Sequence, residues 1–266
     1  MSHACEDRCV GHVMAVSMTL NGLPASMVKQ TKVMQRVQEE ITKAQTLKET
    51  EEEKARKLPS THPSSVEKAI PPGTDNTVPT DPEEKKRALD RSVMCTIMCC
   101  CNDHPAKGQS DQDLKQSCAH QVLQAADKAP EWTSRYKSEL SWNMNLQTGE
   151  SPQPMMHRDA WGNDTTEPSH YWQGRIAEVD GYRPGRGDIR RPDLVVVSDS
   201  SKPPSQDNID QVVEFKFGQD RRDNDQDEAY RDIAGSRKKY SIYRVGGPQK
   251  DIEQGCNCQN PIQSVA

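Results

Sequence analysis

The chain has few hydrophobic and aromatic residues for its length. Of its 266 residues, 32% are hydrophobic, 5% are aromatic and only two are phenylalanine. Soluble domains usually have an apolar share near ~45–50%, a count that includes glycine. One large core over the whole length is therefore not expected, and part of the chain is predicted to stay mobile or to depend on a partner.

The chain also lacks a long apolar run and an excess of positive charge. The absence of about 18 consecutive apolar residues argues against a membrane-spanning helix. The net charge is −5, which excludes binding of nucleic acid through bulk positive charge but not through a local basic groove. The first 20 residues have no basic segment and an interrupted apolar run, so they are not predicted to be a cleaved signal peptide.

Cysteines, in contrast, are numerous, and they are unevenly spaced. Because their number is odd and no export signal is recognised, they are interpreted as mostly reduced thiols. The cluster between 95 and 120, which also contains His104 and His120, leaves zinc binding, a disulfide and buried thiols as alternatives. Cys256 and Cys258 are expected to lie in a frayed tail. The nine cysteines occupy positions 5, 9, 95, 99, 100, 101, 118, 256 and 258.

Composition divides the chain into four predicted segments. Apolar residues recur at heptad-like spacing between Met27 and Ala44, which predicts an amphipathic helix suited to a partner. Six prolines then predict a linker, and a Cys-rich helical segment precedes the C-terminal domain. The predicted bounds are 1–57 for the helical partner-binding region, 58–82 for the Pro-rich linker, 83–130 for the Cys-rich helical segment and 131–266 for the C-terminal domain.

Two helices are predicted in the Cys-rich segment. The first covers residues 83–101, with Asp81 as its cap and Pro82 in its first turn. The second covers residues 111–128. Residues 131–170 are predicted to be mostly irregular, because their apolar residues follow no helical or strand period.

The C-terminal domain contains the strongly strand-like runs. Residues 193–199 and 211–217 are predicted to form two strands, most simply an antiparallel hairpin. A helix follows and weakens at Gly235, and residues 241–245 form a short third strand. This order of helices and strands predicts a mixed α/β fold.

The second strand of the hairpin carries the sharpest chemical signal. Strand alternation places its apolar residues on one face and Glu214 and Lys216 on the other. The neighbouring strand can bring Asp193 close to Glu214, and two carboxylates that share a site repel unless a cation lies between them. Mg²⁺ prefers carboxylate oxygens, and Lys216 is placed to orient the attacking water. The pattern predicts metal-assisted hydrolysis of a phosphodiester.

These residues resemble the PD-(D/E)xK nuclease superfamily, and within it the virus-type replication-repair nuclease (VRR-NUC) branch. The shared order is Pro192-Asp193, then Glu214-x-Lys216, then a helix with Gln226 and Tyr230, and the match covers roughly residues 171–245. The resemblance implies a restriction-endonuclease-like core with a mixed sheet, preceded by the helical N-terminal region. It also implies a Mg²⁺ or Mn²⁺ cofactor and a DNA substrate.

The same resemblance implies roles for individual residues. Asp193 and Glu214 would bind the metal, Lys216 would serve the attacking water, and Gln226 and Tyr230 would line the site and contact phosphate or nucleic acid. Members of the family usually carry a further acidic residue on a preceding helix. Residues 171–182 offer Glu178 and Asp180 for this role, and Glu178 is preferred, with a plain surface carboxylate as the alternative.

Two groups of basic residues flank the predicted site. One group precedes Asp193 and the other follows the helix that carries Tyr230. Such clusters suit contact with the phosphate backbone, although a solvated surface is the alternative for each residue. The groups are Arg183, Arg186, Arg190 and Arg191, and then Arg237, Lys238 and Lys239, with Arg244 beyond them.

A nuclease module behind a helical region and a Pro-rich linker resembles the type VI secretion nuclease effectors of the restriction-endonuclease-fold toxin group. This implies synthesis in a bacterial cytoplasm, secretion without a cleaved signal peptide and action in the cytoplasm of a target cell. The implied partners are an immunity protein, a chaperone or adaptor, and a PAAR spike-tip protein. A non-toxic repair or phage nuclease, and a catalytically idle nucleic-acid-binding or interaction protein, are the alternatives.

Overall fold

The computed structural model describes Cys9 and residues 81–145, 150–169, 175–249 and 253–259. The predicted region 1–57, apart from Cys9, and nearly all of the predicted linker lie outside these residues. The helices within the described ranges are α1 (Pro82–Asp103), α2 (Lys115–Lys128) and α3 (Asn224–Ala234). The strands there are β1 (Ala106–Lys107), β2 (Asp113–Leu114), β3 (Tyr136–Ser138), β4 (Trp142–Asn143), β5 (Gln153–Pro154), β6 (Met156–Arg158), β7 (Asp164–Pro168), β8 (Ile189–Arg190), β9 (Leu194–Val197), β10 (Ile209–Phe217), β11 (Tyr240–Val245) and β12 (Glu253–Gly255).

A five-stranded mixed sheet forms the centre, in the order β12-β11-β10-β9-β3. Strand β9 is antiparallel to both β3 and β10, whereas β11 runs parallel to both β10 and β12. Helix α3 provides the crossover that a parallel β10–β11 pair requires. The predicted hairpin, the helix after it and the third strand are all confirmed, and with them the mixed α/β fold class.

The alternation along β10 separates two cores. Val213, Phe215 and Phe217 pack with buried residues of α1 and α2 on one face of the sheet. On the other face Val212 packs with residues of α3, including Tyr230. Glu214 and Lys216 share this second face by the two-residue period of a strand, so the predicted sorting of the strand is confirmed.

Local sequence explains where the helices begin and end. The Asp81 side chain accepts a hydrogen bond from the Glu83 N–H at 3.1 Å, and proline occupies the first turn of α1 as predicted. Asp223 caps α3 in the same way. Helix α3 ends at Gly235, which has a φ of 67°, a left-handed conformation that glycine adopts without steric cost.

Several sequence predictions are corrected. Helix α2 begins at Lys115 rather than at residue 111, because β1 and β2 pair just before it. Residues 131–170, predicted to be mostly irregular, contain β3, an edge strand of the central sheet. Strand β3 escapes sequence prediction because its three residues are too few to show an alternating pattern. The α1–α2 segment also shares one core with the sheet, so packing is continuous across residue 130.

The cysteines within the described ranges are disulfide-bonded, which contradicts the prediction of mostly reduced thiols. All of the cysteines that the structure describes are paired. The C-terminal pair is not in a frayed tail, because β12 joins the sheet and both cysteines after it are bonded to α1. The bonds are Cys9–Cys100, Cys95–Cys256, Cys99–Cys258 and Cys101–Cys118.

None of the helices within the described ranges is both long enough and apolar enough to cross a bilayer.

Candidate metal and catalytic site

The central feature of the site is a pair of carboxyl groups on adjacent strands. Val213 of β10 pairs with Leu194 of β9, which brings Glu214 level with Asp193. Asp193 Oδ2 accepts a hydrogen bond from the Phe215 N–H at 2.6 Å, which holds the Asp193 side chain over β10. The predicted juxtaposition of the two acids is therefore present, and the strand register is its cause.

Lys216 completes the group. Its Nζ lies 2.7 Å from Glu214 Oε1, and both side chains are buried, with exposed fractions of 6% for Lys216 and 2% for Glu214. The other oxygen, Glu214 Oε2, is buried and accepts no hydrogen bond from a nitrogen donor or a hydroxyl among the described residues. The Asp193 carboxyl can bond to Glu214 only when one of the two acids is protonated, so the pair must hold either a shared proton or a cation.

The pKa values of Asp193 and Glu214 are both raised, as expected for two acids that are buried close together. Burial, and then the negative charge of Glu214, raise the pKa of Asp193 well above its ordinary range. Burial also raises the pKa of Glu214, against the lowering effect of the Lys216 ammonium. Two carboxylates in a dry site resist being ionised together, and a bound cation removes that conflict.

Gln226 and Tyr230 lie at the site, but their side chains form hydrogen bonds with each other and with the main chain. The Tyr230 hydroxyl donates to the Arg191 carbonyl oxygen at 2.8 Å and accepts from Gln226 Nε2 at 2.9 Å. Tyr230 is only 2% exposed. The pair therefore anchors the segment that leads into Pro192-Asp193, a positioning role that differs from the predicted contact with phosphate.

The structure does not bring Glu178 to the acid pair. Glu178 lies in a 3₁₀ turn, Ile176–Glu178, and accepts from Arg158 at 3.1 Å and from Arg175 at 2.8 Å. This is an exposed ion cluster of the kind that adds little stability. The alternative, Asp180, is also exposed, so neither acid supplies the predicted third carboxylate.

The basic group before Asp193 lies partly at the site. Arg190 is close enough for its charge to lower the pKa of Tyr230, although burial of the tyrosine has the larger, raising effect. Arg191 is exposed and lies 3.8 Å from Glu139 Oε2. Arg183 and Arg186 are exposed in the loop that precedes β8.

The second basic group lies at the opposite end of the sheet. Lys239 Nζ donates to the Ile209 carbonyl oxygen at 2.6 Å. Ile209 precedes Glu214 by five residues of β10, which is about 16 Å along a strand. Arg237 and Lys238 are exposed beside Lys239, so this group does not line the acid pair.

Arg244 is buried rather than available to phosphate. It bonds Glu253 Oε2 at 2.5 Å and donates to the Gly218 carbonyl oxygen at 2.7 Å. The ion pair holds β12 to β11 and to the turn that follows β10. Arg244 is therefore a structural residue.

Sequence reasoning missed three residues beside Asp193. Glu139 N–H donates to the Asp193 carbonyl oxygen at 3.1 Å, and Ser138 Oγ donates to it at 3.3 Å. His120 Nδ1 lies 2.9 Å from Ser138 Oγ. No periodic pattern or motif marks these residues as partners of Asp193, because they come from α2, from the short strand β3 and from the position after it.

The cysteine cluster offers no zinc site among the described residues. The sulfur atoms of Cys9, Cys101 and Cys118 lie within 4.8 Å of one another. All three are in disulfides, with Cys9 bonded to Cys100. Zinc is bound by cysteine thiolates, which a disulfide does not provide.

Comparison of the chain with protein-family models, with curated proteins and with solved structures finds no match.

Proposed function

We propose that the protein is a metal-dependent nuclease that hydrolyses phosphodiester bonds in DNA. The observation that carries this proposal is the buried Glu214 carboxylate, held by Lys216 on one oxygen and facing the Asp193 carboxyl. A half-buried acid beside a buried acid and a buried amine matches the pattern that the PD-(D/E)xK resemblance implies. The mixed sheet and its crossover helix support a restriction-endonuclease-like core.

Mg²⁺ or Mn²⁺ fits the residues present. Asp193 and Glu214 provide hard carboxylate oxygens, which these ions prefer, and a cation held between them would take the place of the proton that the two acids otherwise share. When bound, such an ion polarises the phosphodiester and lowers the pKa of a water.

The protein's own side chains orient the reaction. Lys216 Nζ donates a hydrogen bond to Glu214 Oε1 and so aligns that carboxylate. Its ammonium also places positive charge where the phosphate gains negative charge in the transition state. Gln226 and Tyr230 keep the Arg191 carbonyl in place and so support the adjoining Asp193.

The biological role we propose is that of an antibacterial toxin delivered by type VI secretion. An immunity protein neutralises it in the producing cell, and a chaperone or adaptor and a PAAR spike-tip protein carry it. Support for this role is confined to the sequence: residues that resemble a nuclease motif follow a predicted Pro-rich linker and a predicted helix suited to a partner.

The four described disulfides add a requirement to this role. Disulfides persist in oxidising compartments and are rare in a reducing cytoplasm. We therefore place the oxidised fold in an oxidising compartment, such as a periplasm, before any action in the target-cell cytoplasm. Removing Cys256 and Cys258 by serine substitution, which breaks two bonds to α1, is expected to lower the melting temperature by about 10 °C. Thermal unfolding with and without dithiothreitol measures this, and equal melting curves would contradict the requirement.

Cleavage of plasmid DNA tests the enzymatic proposal. Wild-type protein is expected to cut with Mg²⁺ and to stop when EDTA is added, whereas Asp193→Ala and Lys216→Ala are expected to be inactive. Lys238→Ala is the matched control, since Lys238 is exposed near the far end of the sheet. Cutting that persists in Asp193→Ala would exclude the proposed site.

Expression in bacteria tests the toxin proposal separately. Induced wild-type protein is expected to degrade the genome and arrest growth, and a co-expressed immunity protein is expected to restore growth and co-purify. Activity on plasmid DNA without toxicity would instead favour the repair or phage nuclease.

A further inference from the structure

The segment that carries Asp193 is held on both sides of Pro192 by side-chain hydroxyls. On one side, Tyr230 donates to the Arg191 carbonyl oxygen and is backed by Gln226. On the other side, Ser138 donates to the Asp193 carbonyl oxygen at 3.3 Å.

His120 forms a hydrogen bond with the Ser138 hydroxyl, just as Gln226 forms one with the Tyr230 hydroxyl. His120 Nδ1 lies 2.9 Å from Ser138 Oγ. A serine hydroxyl has one hydrogen, and assigning it to the Asp193 carbonyl makes the Nδ1–H of His120 the donor in this second bond. The resulting order of donation is His120, then Ser138, then the Asp193 carbonyl.

The surroundings of His120 hold it at this position. Helix α2, which carries it, is bonded to α1 through Cys101–Cys118, two residues before His120. Glu139 Oε2 lies 4.0 Å from His120 Nδ1 and 3.8 Å from Arg191 Nη1. Glu139 itself has a φ of 45°, a left-handed conformation that costs free energy for a residue other than glycine.

A cleft of about 180 Å³ lies next to this arrangement. Its lining includes His120, Ser138, Glu139 and Arg191. The side chain of His120 is 27% exposed, so His120 does not serve to fill the core, and its substitution need not disrupt packing.

We propose that His120 is a positioning residue that acts through Ser138 to fix the main chain of Asp193, and thereby its carboxylate, for metal binding and cleavage. The proposal rests on the nuclease function proposed above and adds two residues to it. A carboxylate that ligates a metal must be held within about 0.5 Å of its productive position. A misplacement of about 1 Å can cost 10²-fold in rate, so loss of one of several restraints on Asp193 is expected to have a smaller effect.

A double-mutant cycle on the full-length protein tests the proposal. His120→Ala and Ser138→Ala are each expected to lower kcat about tenfold and to raise the Mg²⁺ concentration needed for half-maximal cleavage, with little change in the KM for DNA. The double variant is expected to be no worse than either single variant, because the two residues act in series. His157→Ala, at an exposed histidine of β6, is the matched control and is expected to behave as wild type.

Rescue by a conservative variant separates positioning from general destabilisation. In His120→Asn the side-chain amide N–H can replace Nδ1–H, so most of kcat and of the Mg²⁺ affinity are expected to return. Binding of Mg²⁺ measured by calorimetry gives a readout besides cleavage. Multiplicative losses in the double variant, or wild-type kinetics in His120→Ala, would overturn the proposal while wild-type cleavage still supports the nuclease. Absence of both Mg²⁺ binding and cleavage in the wild type would instead reject the nuclease itself, and the positioning role with it.

Discussion

Two buried lysine–carboxylate pairs lie near the central sheet, and they differ in whether their hydrogen bonds are complete. In the first, Lys137 Nζ lies 2.8 and 3.0 Å from the two oxygens of Asp127 and also donates to the Trp132 carbonyl oxygen. Asp127 Oδ1 receives a further bond from the Ser134 N–H at 3.0 Å. Every charged atom of this pair has a partner, as a structural ion pair requires.

In the second pair, Lys216 bonds only one oxygen of Glu214, and the other oxygen receives no bond from a nitrogen donor or a hydroxyl and faces the Asp193 carboxyl. The pKa values alone do not separate the two pairs, because burial also raises the pKa of Asp127, to about 6. The comparison teaches that a perturbed carboxyl pKa reports burial. A buried carboxylate oxygen that faces a second acid, with no nitrogen donor or hydroxyl bonded to it, is the feature that indicates a ligand.

The largest expected effect is a loss of cleavage when the acid of the Lys216–Glu214 pair is replaced. Glu214→Gln keeps the size of the side chain but removes a metal ligand, and cleavage is expected to fall at least ~10³-fold, about 4 kcal/mol in activation free energy. Asp127→Asn is the matched change in the other pair and is expected to leave cleavage per folded molecule unchanged. Single-turnover cleavage with saturating Mg²⁺ measures both, and equal losses would mean that the two pairs have the same role.

The next effect is on stability and concerns the other pair. Lys137→Met leaves Asp127 buried without its cation, which is expected to lower the free energy of unfolding by about 3 kcal/mol. Urea unfolding at pH 7 measures the loss. An unchanged midpoint would show that Lys137 contributes nothing net to the fold.

A smaller effect is stabilisation by metal. At a Mg²⁺ concentration ten times Kd, binding to the folded state adds about 1.4 kcal/mol, which corresponds to a rise of about 3–6 °C in melting temperature. The rise is expected in the wild type and in Lys137→Met but not in Glu214→Gln. A rise that survives in Glu214→Gln would place the ion elsewhere.

The smallest effect concerns the two basic groups. Arg190→Ala, close to the acid pair, is expected to weaken binding of a short DNA duplex about threefold at low salt. Arg237→Ala, at the far end of the sheet, is expected to change the Kd by less than the error of an anisotropy titration. The reverse order would mean that DNA crosses the other end of β10.

Much of the hairpin could be predicted from local pattern. The alternation along β10 sorted Val213 and Phe215 from Glu214 and Lys216, because a strand turns successive side chains to opposite faces. The capping residues of α1 and the glycine end of α3 were also predicted, since both depend on a few adjacent residues. Strand β3 was not, because it is short and its place in the sheet depends on pairing with β9, far along the chain.

The residues of the candidate site also fall into those that the sequence predicts and those that it does not. The order of the sequence was enough to nominate Asp193, Glu214 and Lys216, and the helical spacing of Gln226 and Tyr230 was enough to pair them. Glu178 rests on the further acid that the family resemblance implies, which no strand or helix period locates, and the structure places it in an exposed cluster with Arg158.

The amino-acid sequence by itself determined the β9–β10 hairpin and the helix that follows it, because strand and helix periods act over a few neighbouring residues. Tertiary structure alone decided which cysteines pair, that β12 closes the edge of the sheet, and that His120 and Ser138 meet the main chain of Asp193. These contacts join residues far apart in the chain. They form only when the whole core packs, because hydrophobic burial and strand pairing between distant segments supply the free energy that brings the segments together.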